Sequence, residues 1–420
     1  MRSIERGSPS TFKGIIDTTF RDGAQSPLVA EQISRFSTQQ RLDLFDAMHT
    51  YGVKVFEVFS PFVNPAEAED LAALRERINT IPSDMRPSLA AHVRCDARDA
   101  QSALNAGVRR LHFYMGADED SRATGHGKSI KEMRARIKDT LSGLHDAYPD
   151  IYVRFSGEHA FKTNRRKLYS VFDSAVENGA DALGIPDTTG IARDTCIKSL
   201  VRSLKKKYQD VDLEGHNHND YGYAIPNSVT EVTEGVSYIS TSIWGLAERS
   251  GIASMTGLLF NLHRLNPDYV KDYLIGSSYK INTMMGDILH LPVPYNEPVS
   301  LTNRTHVAGV HTKSIQNYEQ SALEQFGVTR SDLLVGADSL VGPLSGWHNI
   351  RYYLRELEFF DVTDDQAKAI TKEFKSQSRD MNGRKDAEER LKRIASKYDL
   401  PHLPRHEQGR IVYERAGVTV

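Results

Sequence analysis

From residue 14 to about residue 262 the chain repeats one rhythm, a short β-branched or apolar run followed by an amphipathic stretch. That alternation is the pattern of βα units, and it restricts the chain more than any other feature. Eight runs read as strands: Gly14–Phe20, Val53–Ser60, Ser88–Arg94, Arg109–Met115, Ile151–Glu158, Asp181–Pro186, Val211–His216 and Tyr238–Trp244. Helical patterns fill the gaps, among them Thr38–Tyr51, Ala66–Ile78, Ala97–Ala106, Ile130–Ala147, Lys167–Asn178 and Thr195–Tyr208, several closed by a glycine just past the end. Parallel strands in series need cover, and eight of them predict an α/β fold closed on itself, a TIM (β/α)8 barrel. All strand C-terminal ends then share one mouth, where chemistry is expected.

The rhythm stops near residue 267. The pattern predicts the barrel over 1–266, a linker or subdomain over 267–325 that holds Pro292, Pro294 and Pro298, and a mostly helical C-terminal subdomain over 326–420. In the last, Arg351–Phe360 and Asp364–Lys375 read as helices. The charged stretch Ser376–Lys397 reads either as a solvated face or as a helix packed at an edge.

Composition removes several classes of function. Lys and Arg number 53 and Asp and Glu 55, a formal net charge of -2, so there is no electrostatic footprint for nucleic acid or an anionic membrane. Any anionic ligand has to be met by local groups. Cys95 and Cys196 stand in unrelated contexts without a C-x-x-C spacing, which argues against a disulfide framework and a thiolate zinc site. Met1–Ser8 lacks the apolar core of a signal peptide, and no run approaches the ~20 apolar residues that span a bilayer. A cytoplasmic protein is expected.

Polar residues gather where a barrel mouth would need them. Arg21 and Asp22 follow the first strand, Glu57–Ser60 end the second, His92–Arg94 the third, Arg154–Glu158 the fifth, Asp187–Thr189 follow the sixth, and His216 and His218 end the seventh. Side chains two apart on an extended backbone project to the same side, so His216 and His218 can offer two imidazoles to one borderline divalent cation. Alone, the H-x-H pattern reads equally as two polar strand-end residues, each satisfied by its own hydrogen bond. With Asp22 as the third ligand the set would leave open coordination positions, which suits a Lewis acid better than a structural plug. Arg21 beside it could hold an anionic substrate. Arg154 and His92 would suit a second carboxylate, so a small dicarboxylate fits; Arg154 reads alternatively as an ion-pair partner of Glu57 or Glu158.

Two segments carry a family resemblance. Asp17-Thr18-Thr19-Phe20-Arg21-Asp22-Gly23-Ala24-Gln25 resembles the strand-one signature of the metal-dependent barrel lyases and Claisen synthases, the group of isopropylmalate, citramalate and homocitrate synthases and hydroxymethylglutaryl-CoA lyase. His216-Asn217-His218-Asn219-Asp220 resembles that group's metal motif. Within the group the chain is most similar to homocitrate synthases, through Ala91–Cys95, Gly125–Lys128, Arg154–Glu158, Asp187–Gly190, Gly245–Ile252, His306–Lys313 and Leu344–Trp347. The resemblance implies that Asp22, His216 and His218 bind a divalent metal (zinc, manganese or magnesium). It also implies that Arg21 holds a 2-oxo acid near its keto end, with His92, Arg154, Ser156 and Thr188 around its body and distal carboxylate. His311, Tyr318 and Glu158 would complete the catalytic set, the first two reaching the active site of a partner chain in a homodimer. The implied reaction is a Claisen condensation of acetyl-CoA with a 2-oxo dicarboxylic acid, 2-oxoglutarate before others, followed by thioester hydrolysis.

Three positions depart from the homocitrate synthase pattern. Ala24 stands where a second acid is usual, Phe59 where a small Thr is, and His159 where an Asp is. A bulky Phe59 would reshape the acceptor site, so oxaloacetate or phosphonopyruvate is the alternative acceptor. A lyase running the reverse cleavage, and a metal-binding keto-acid sensor without turnover, are the remaining readings.

Overall fold

The computed structural model describes residues 11–63, 65–294, 296–300, 305–306 and 338–408. Eight parallel strands close into a barrel in chain order: β1 Gly14–Asp17, β2 Val55–Phe59, β3 Ser88–Arg94, β4 Arg110–Gly116, β5 Tyr152–Glu158, β6 Ala182–Asp187, β7 Asp212–Asn217 and β8 Tyr238–Thr241. Pairing of Gly14–Asp17 with Tyr238–Thr241 completes the circle. The expected barrel is the observed one.

Strand alternation sorts each strand's residues to two environments. Outward side chains such as Phe56 and Phe155 meet Phe45 and Phe172 of the surrounding helices, at ring separations of 4.7 and 6.5 Å. Inward side chains stack in layers because neighbouring strands are in register. At the bottom, Ile16, Val55 and Ala90 cluster with Tyr238, and the Arg110 guanidinium lies 4.0 Å from the Tyr152 ring centre and 4.7 Å from that of Tyr238. Glu57, His112, Arg154 and Glu214 come next, all buried. The mouth residues lie above them.

Helix boundaries follow local chemistry. Ser37 and Gln40 form a capping box on the helix Thr38–Tyr51, which ends where Gly52 takes a left-handed φ of 118°. Ser129 and Glu132 cap Ile130–Leu141 in the same way. That helix does not run on to Ala147 as expected: Gly143, at φ 77°, breaks it before a single turn at Leu144–Ala147. The first and eighth strands are also shorter than expected. Asp17 accepts from the Thr19 backbone N–H and hydroxyl and turns the chain, and Trp244 sits at a left-handed φ of 58°.

The chain divides into two compact units, one running to Ile275 and taking in Lys280–Val293, the other taking Gly276–Tyr279 and the chain from Pro294. In the second, Ile350, Leu354, Val362, Ile370, Phe374, Leu391 and Ile394 form one core. A helix at Asp364–Ser376, capped by Thr363 and Gln366, supplies part of it. The charged stretch contains a packed helix, Gly383–Ala395, with Ala387, Leu391, Ile394 and Ala395 buried. The helix expected at Arg351–Phe360 is instead Trp347–Tyr352 followed by a wider-wound turn at Tyr353–Leu357.

Candidate functional site

The turn after β1 places Arg21 and Asp22. The backbone N–H groups of Arg21, Asp22 and Gly23 all converge on the Thr18 carbonyl, at 3.0, 2.8 and 3.1 Å. A turn this tight puts both side chains on the wall of the mouth cavity. From β7, His216 Nε2 lies 3.1 Å from Asp22 Oδ2 and 3.3 Å from His218 Nε2. Ligand-capable atoms of the three residues all lie within 4.8 Å of one another.

This cluster fits a metal by its chemistry. Asp22 Oδ2 is buried and, among the described residues, makes no hydrogen bond of proper geometry despite its nearness to His216. Burial works to raise the Asp22 carboxyl, but Arg21, His216 and His218 overcome it and hold the group below the usual carboxylate range. Burial, with His216 adding, depresses His218 to about 3, so it is a neutral imidazole, the form that ligates. Two imidazole nitrogens and a carboxylate oxygen aimed at one point suit a borderline divalent cation.

A compensated layer lies directly beneath. Arg21 Nε donates to Glu57 Oε1 at 2.7 Å, and His112 Nδ1 donates to Glu57 Oε2. His112 Nε2 accepts from Arg110 Nε at 3.1 Å, which fixes the tautomer of a ring that burial lowers to about 4. Arg154 pairs with Glu214 and lies 3.6 Å from Glu57. Burial works to raise Glu57, and Arg21 and His112 carry it well below its ordinary range. Glu57, His112 and Glu214 also approach within 4.8 Å of one another, yet guanidiniums already provide the cations there. Arg154 therefore realises its ion-pair reading, with Glu57 and Glu214 as partners.

Above the two layers is a cavity of about 650 Å³. Arg21, Asp22, His92, Arg154, Ser156, Glu158, Thr188, His216 and His218 all line it, so the fold brings together the expected residues that the structure describes. His311 and Tyr318 lie outside the described residues. His92 stacks on Tyr114 at 4.3 Å, and burial with Arg21 keeps its ring neutral. Ser156 faces inward beside Gly184, where any Cβ would stand 1.9 Å from its hydroxyl. Thr188 accepts at Oγ1 from the His159 N–H at 3.0 Å, and its carbonyl accepts from Arg249 Nη2 at 2.6 Å. His159 holds a left-handed φ of 53°. Phe59 ends β2, in register with His92, and lines the same cavity. Burial, with Asp118 adding, raises the Glu158 carboxyl.

His112, Glu214 and Tyr114 had no assigned role from sequence, and Glu57 only that of a partner for Arg154. Their signal is period two: Arg110-x-His112-x-Tyr114 and Glu214-x-His216-x-His218 each set polar side chains on one face of a strand that lies inside a barrel.

Comparisons with known proteins agree with this fold. A family model described as HMGL-like matches residues 13–285, and one described as homocitrate synthase post-HMGL domain-like matches 299–382. The cytosolic isozyme of homocitrate synthase from Saccharomyces cerevisiae is 28% identical over 367 residues, covering 86% of this chain and 81% of that protein. A 2-isopropylmalate synthase from Acetivibrio thermocellus is 26% identical, covering 86% of this chain and 70% of its own. The solved hydroxymethylglutaryl-CoA lyase from Pseudomonas aeruginosa shares the barrel fold, with a TM-score of 0.55 at 19% identity over 68% of this chain and 95% of that one. No helix among the described residues is long and apolar enough to cross a membrane. The match from before β1 to beyond β8 covers more than half of the chain, which therefore belongs to the HMGL-like family and carries a homocitrate synthase post-HMGL domain-like segment after its barrel.

Proposed function

We propose that the chain is an acyl-CoA:2-oxo acid C-acyltransferase that condenses acetyl-CoA with a 2-oxo dicarboxylic acid, 2-oxoglutarate by preference, to give homocitrate and CoA. The observation that carries this reading is the meeting of Asp22, His216 and His218 with Arg21 and Arg154 on one cavity. The guanidiniums of Arg21, Arg110 and Arg154 are matched by the carboxylates of Glu57, Glu214 and Asp22. With those pairs matched, the charge that a divalent cation would add is of the sign that attracts a dianionic acceptor. Its similarity to homocitrate synthases supports the same acceptor.

Asp22, His216 and His218 would hold zinc, manganese or magnesium, which when bound supplies Lewis-acid polarisation of a ketone. Arg21 holds the acceptor's keto and carboxylate end. His92, Arg154, Ser156 and Thr188 surround its body and distal carboxylate. The acetyl methyl is a weak acid, so a positioned base has to take its proton. His311 with Glu158 fills that role, and the raised Glu158 carboxyl is the stronger base for it. The carbanion carbon then bonds to the ketone carbon, and the alkoxide that forms meets the charge of Arg21. Water cleaves the thioester and releases CoA. His311 and Tyr318 are contributed across a homodimer, in the cytoplasm.

Phe59 favours a second reading. Its ring on the cavity wall beside His92 shortens the space for the acceptor, which suits oxaloacetate or phosphonopyruvate. Release of CoA thiol from acetyl-CoA, measured against a panel of 2-oxo acids, separates the readings. Highest kcat/KM with 2-oxoglutarate is expected; preference for oxaloacetate or phosphonopyruvate selects the second. Preference for pyruvate or 2-oxoisovalerate overturns both.

A further inference from the structure

The outer face of β7 holds a buried acid that the proposed reaction does not use. His216 and His218 point to the barrel interior, and Asn217 between them points the other way, fully buried. Asn217 Nδ2 donates to Glu231 Oε2 at 2.6 Å and to Ser228 Oγ at 3.1 Å, both on the helix Ala224–Thr233. Glu231 is 0% exposed. Its carboxylate fits only because residue 215 is glycine: a Cβ there would stand 1.9 Å from Glu231 Oε2.

Nothing nearby neutralises this group. Among the described residues Glu231 has no ion-pair partner, and Glu231 Oε1 and Asn217 Oδ1 both lack a donor. Burial, with Asn217 pulling the other way and Asp187 adding, pushes its carboxyl up to about 8. At neutral pH it is then largely a carboxylic acid, whose proton supplies the donor that the pair lacks. An apolar side chain would occupy this space at less cost. The strand shows what the acid can do. Pairing of β7 with β8 reaches only Gly215, and the next contact on that side is a single bridge from His218 to Ile252. Between them His216 and Asn217 have no ladder partner on that flank.

We propose that Glu231 is a positioning residue for the metal centre: from outside the barrel its carboxyl holds Asn217, and so keeps the two flanking imidazoles turned inward. The inference rests on the metal reading of Asp22, His216 and His218.

Cobalt(II) is the probe, added to the metal-free full-length chain, with affinity and the intensity of the visible d–d bands as readouts and thermal stability in chelator measured beside them. Glu231→Gln keeps an acceptor for Asn217 and an N–H donor, and is expected to retain wild-type affinity within about twofold. Glu231→Ala is expected to weaken Co(II) by about tenfold or more and to change the band intensities, as loss of a group supporting metal ligands does. Glu231→Asp, whose shorter side chain cannot reach Asn217, is read in its place where the alanine variant does not fold. Wild-type affinity and spectrum in Glu231→Ala or Glu231→Asp, even with lowered thermal stability, would reduce Glu231 to a structural role and overturn the proposal. His218→Ala separates the two claims. If it loses Co(II) while the Glu231 variants keep it, only the present inference fails; if it binds as wild type does, the metal assignment itself has failed.

Discussion

Two clusters of histidine and carboxylate stand one above the other inside this barrel, and distance alone does not tell them apart. Asp22, His216 and His218 form the upper one and Glu57, His112 and Glu214 the lower, each with ligand-capable atoms within 4.8 Å. In the lower cluster each residue is already engaged: Glu57 with Arg21 and His112, His112 with Arg110, Glu214 with Arg154 and Ser240. In the upper cluster Asp22 Oδ2 has no hydrogen bond and two Nε2 atoms face each other. Glu214 Oε2, in the lower cluster, also lacks a hydrogen bond, so what separates the two is that the guanidiniums of Arg21 and Arg154 already pair with both lower carboxylates. Where guanidiniums already supply the charge, the same residue types become a rigid floor.

The comparison can be broken by variants that touch one cluster only. Asp22→Asn is expected to lower CoA release with 2-oxoglutarate by on the order of 1,000-fold, with the fold retained. Steady-state kinetics at saturating metal checks this. Glu57→Gln, in the lower cluster, should cost about 3–5 kcal/mol of stability, because it removes the buried charge that Arg21 faces. Denaturant unfolding of the metal-free protein measures that loss.

Glu231 supplies a pH-dependent contrast outside both clusters. In the native state its carboxyl is pushed up to about 8 from an ordinary 4.5, so between these values the unfolded chain binds fewer protons and stability falls as pH rises. The contribution is fully present below pH 4.5 and lost through about pH 8. Unfolding curves from pH 4.5 to 8 should show wild type losing a few kcal/mol relative to Glu231→Gln, a difference on the order that the shift implies. The smallest effect belongs to a pair at the surface. Arg202 bonds Glu234 through two nitrogens, at 2.6 and 2.7 Å, yet Arg202→Ala should leave the same unfolding curve nearly unchanged, since the guanidinium is largely in water.

Most of the upper cluster was legible in the sequence, because its signals are local. His216-x-His218 at a strand end and Arg21-Asp22 after the first strand carry their geometry in period two and in a turn. The eight strands were legible for the same reason. The lower cluster was legible only as an alternative pairing of Arg154 with Glu57, because the partners of Glu57 come from the turn after β1, from β4 and from β5 and meet only when the barrel closes. Glu231 was hidden in another way: in Ala224–Thr233 it reads as one polar residue on an amphipathic helix, and only the space left by Gly215 shows that it is buried against Asn217. The ends of β1 and β8 were misread because Thr18–Phe20 and Ser242–Trp244 have strand-forming residue types, while Asp17's bonds to Thr19 and the backbone of Trp244 turn the chain.

The central claim, that the upper cluster and not the lower holds the catalytic metal, is tested most directly by metal stoichiometry. Wild type, Glu57→Gln and His218→Ala proteins would be dialysed to equilibrium against zinc or manganese and their metal content measured per chain. The account predicts one ion per chain in wild type and in Glu57→Gln, and none in His218→Ala. Two ions in wild type, or an ion that survives His218→Ala and is lost in Glu57→Gln, would contradict it.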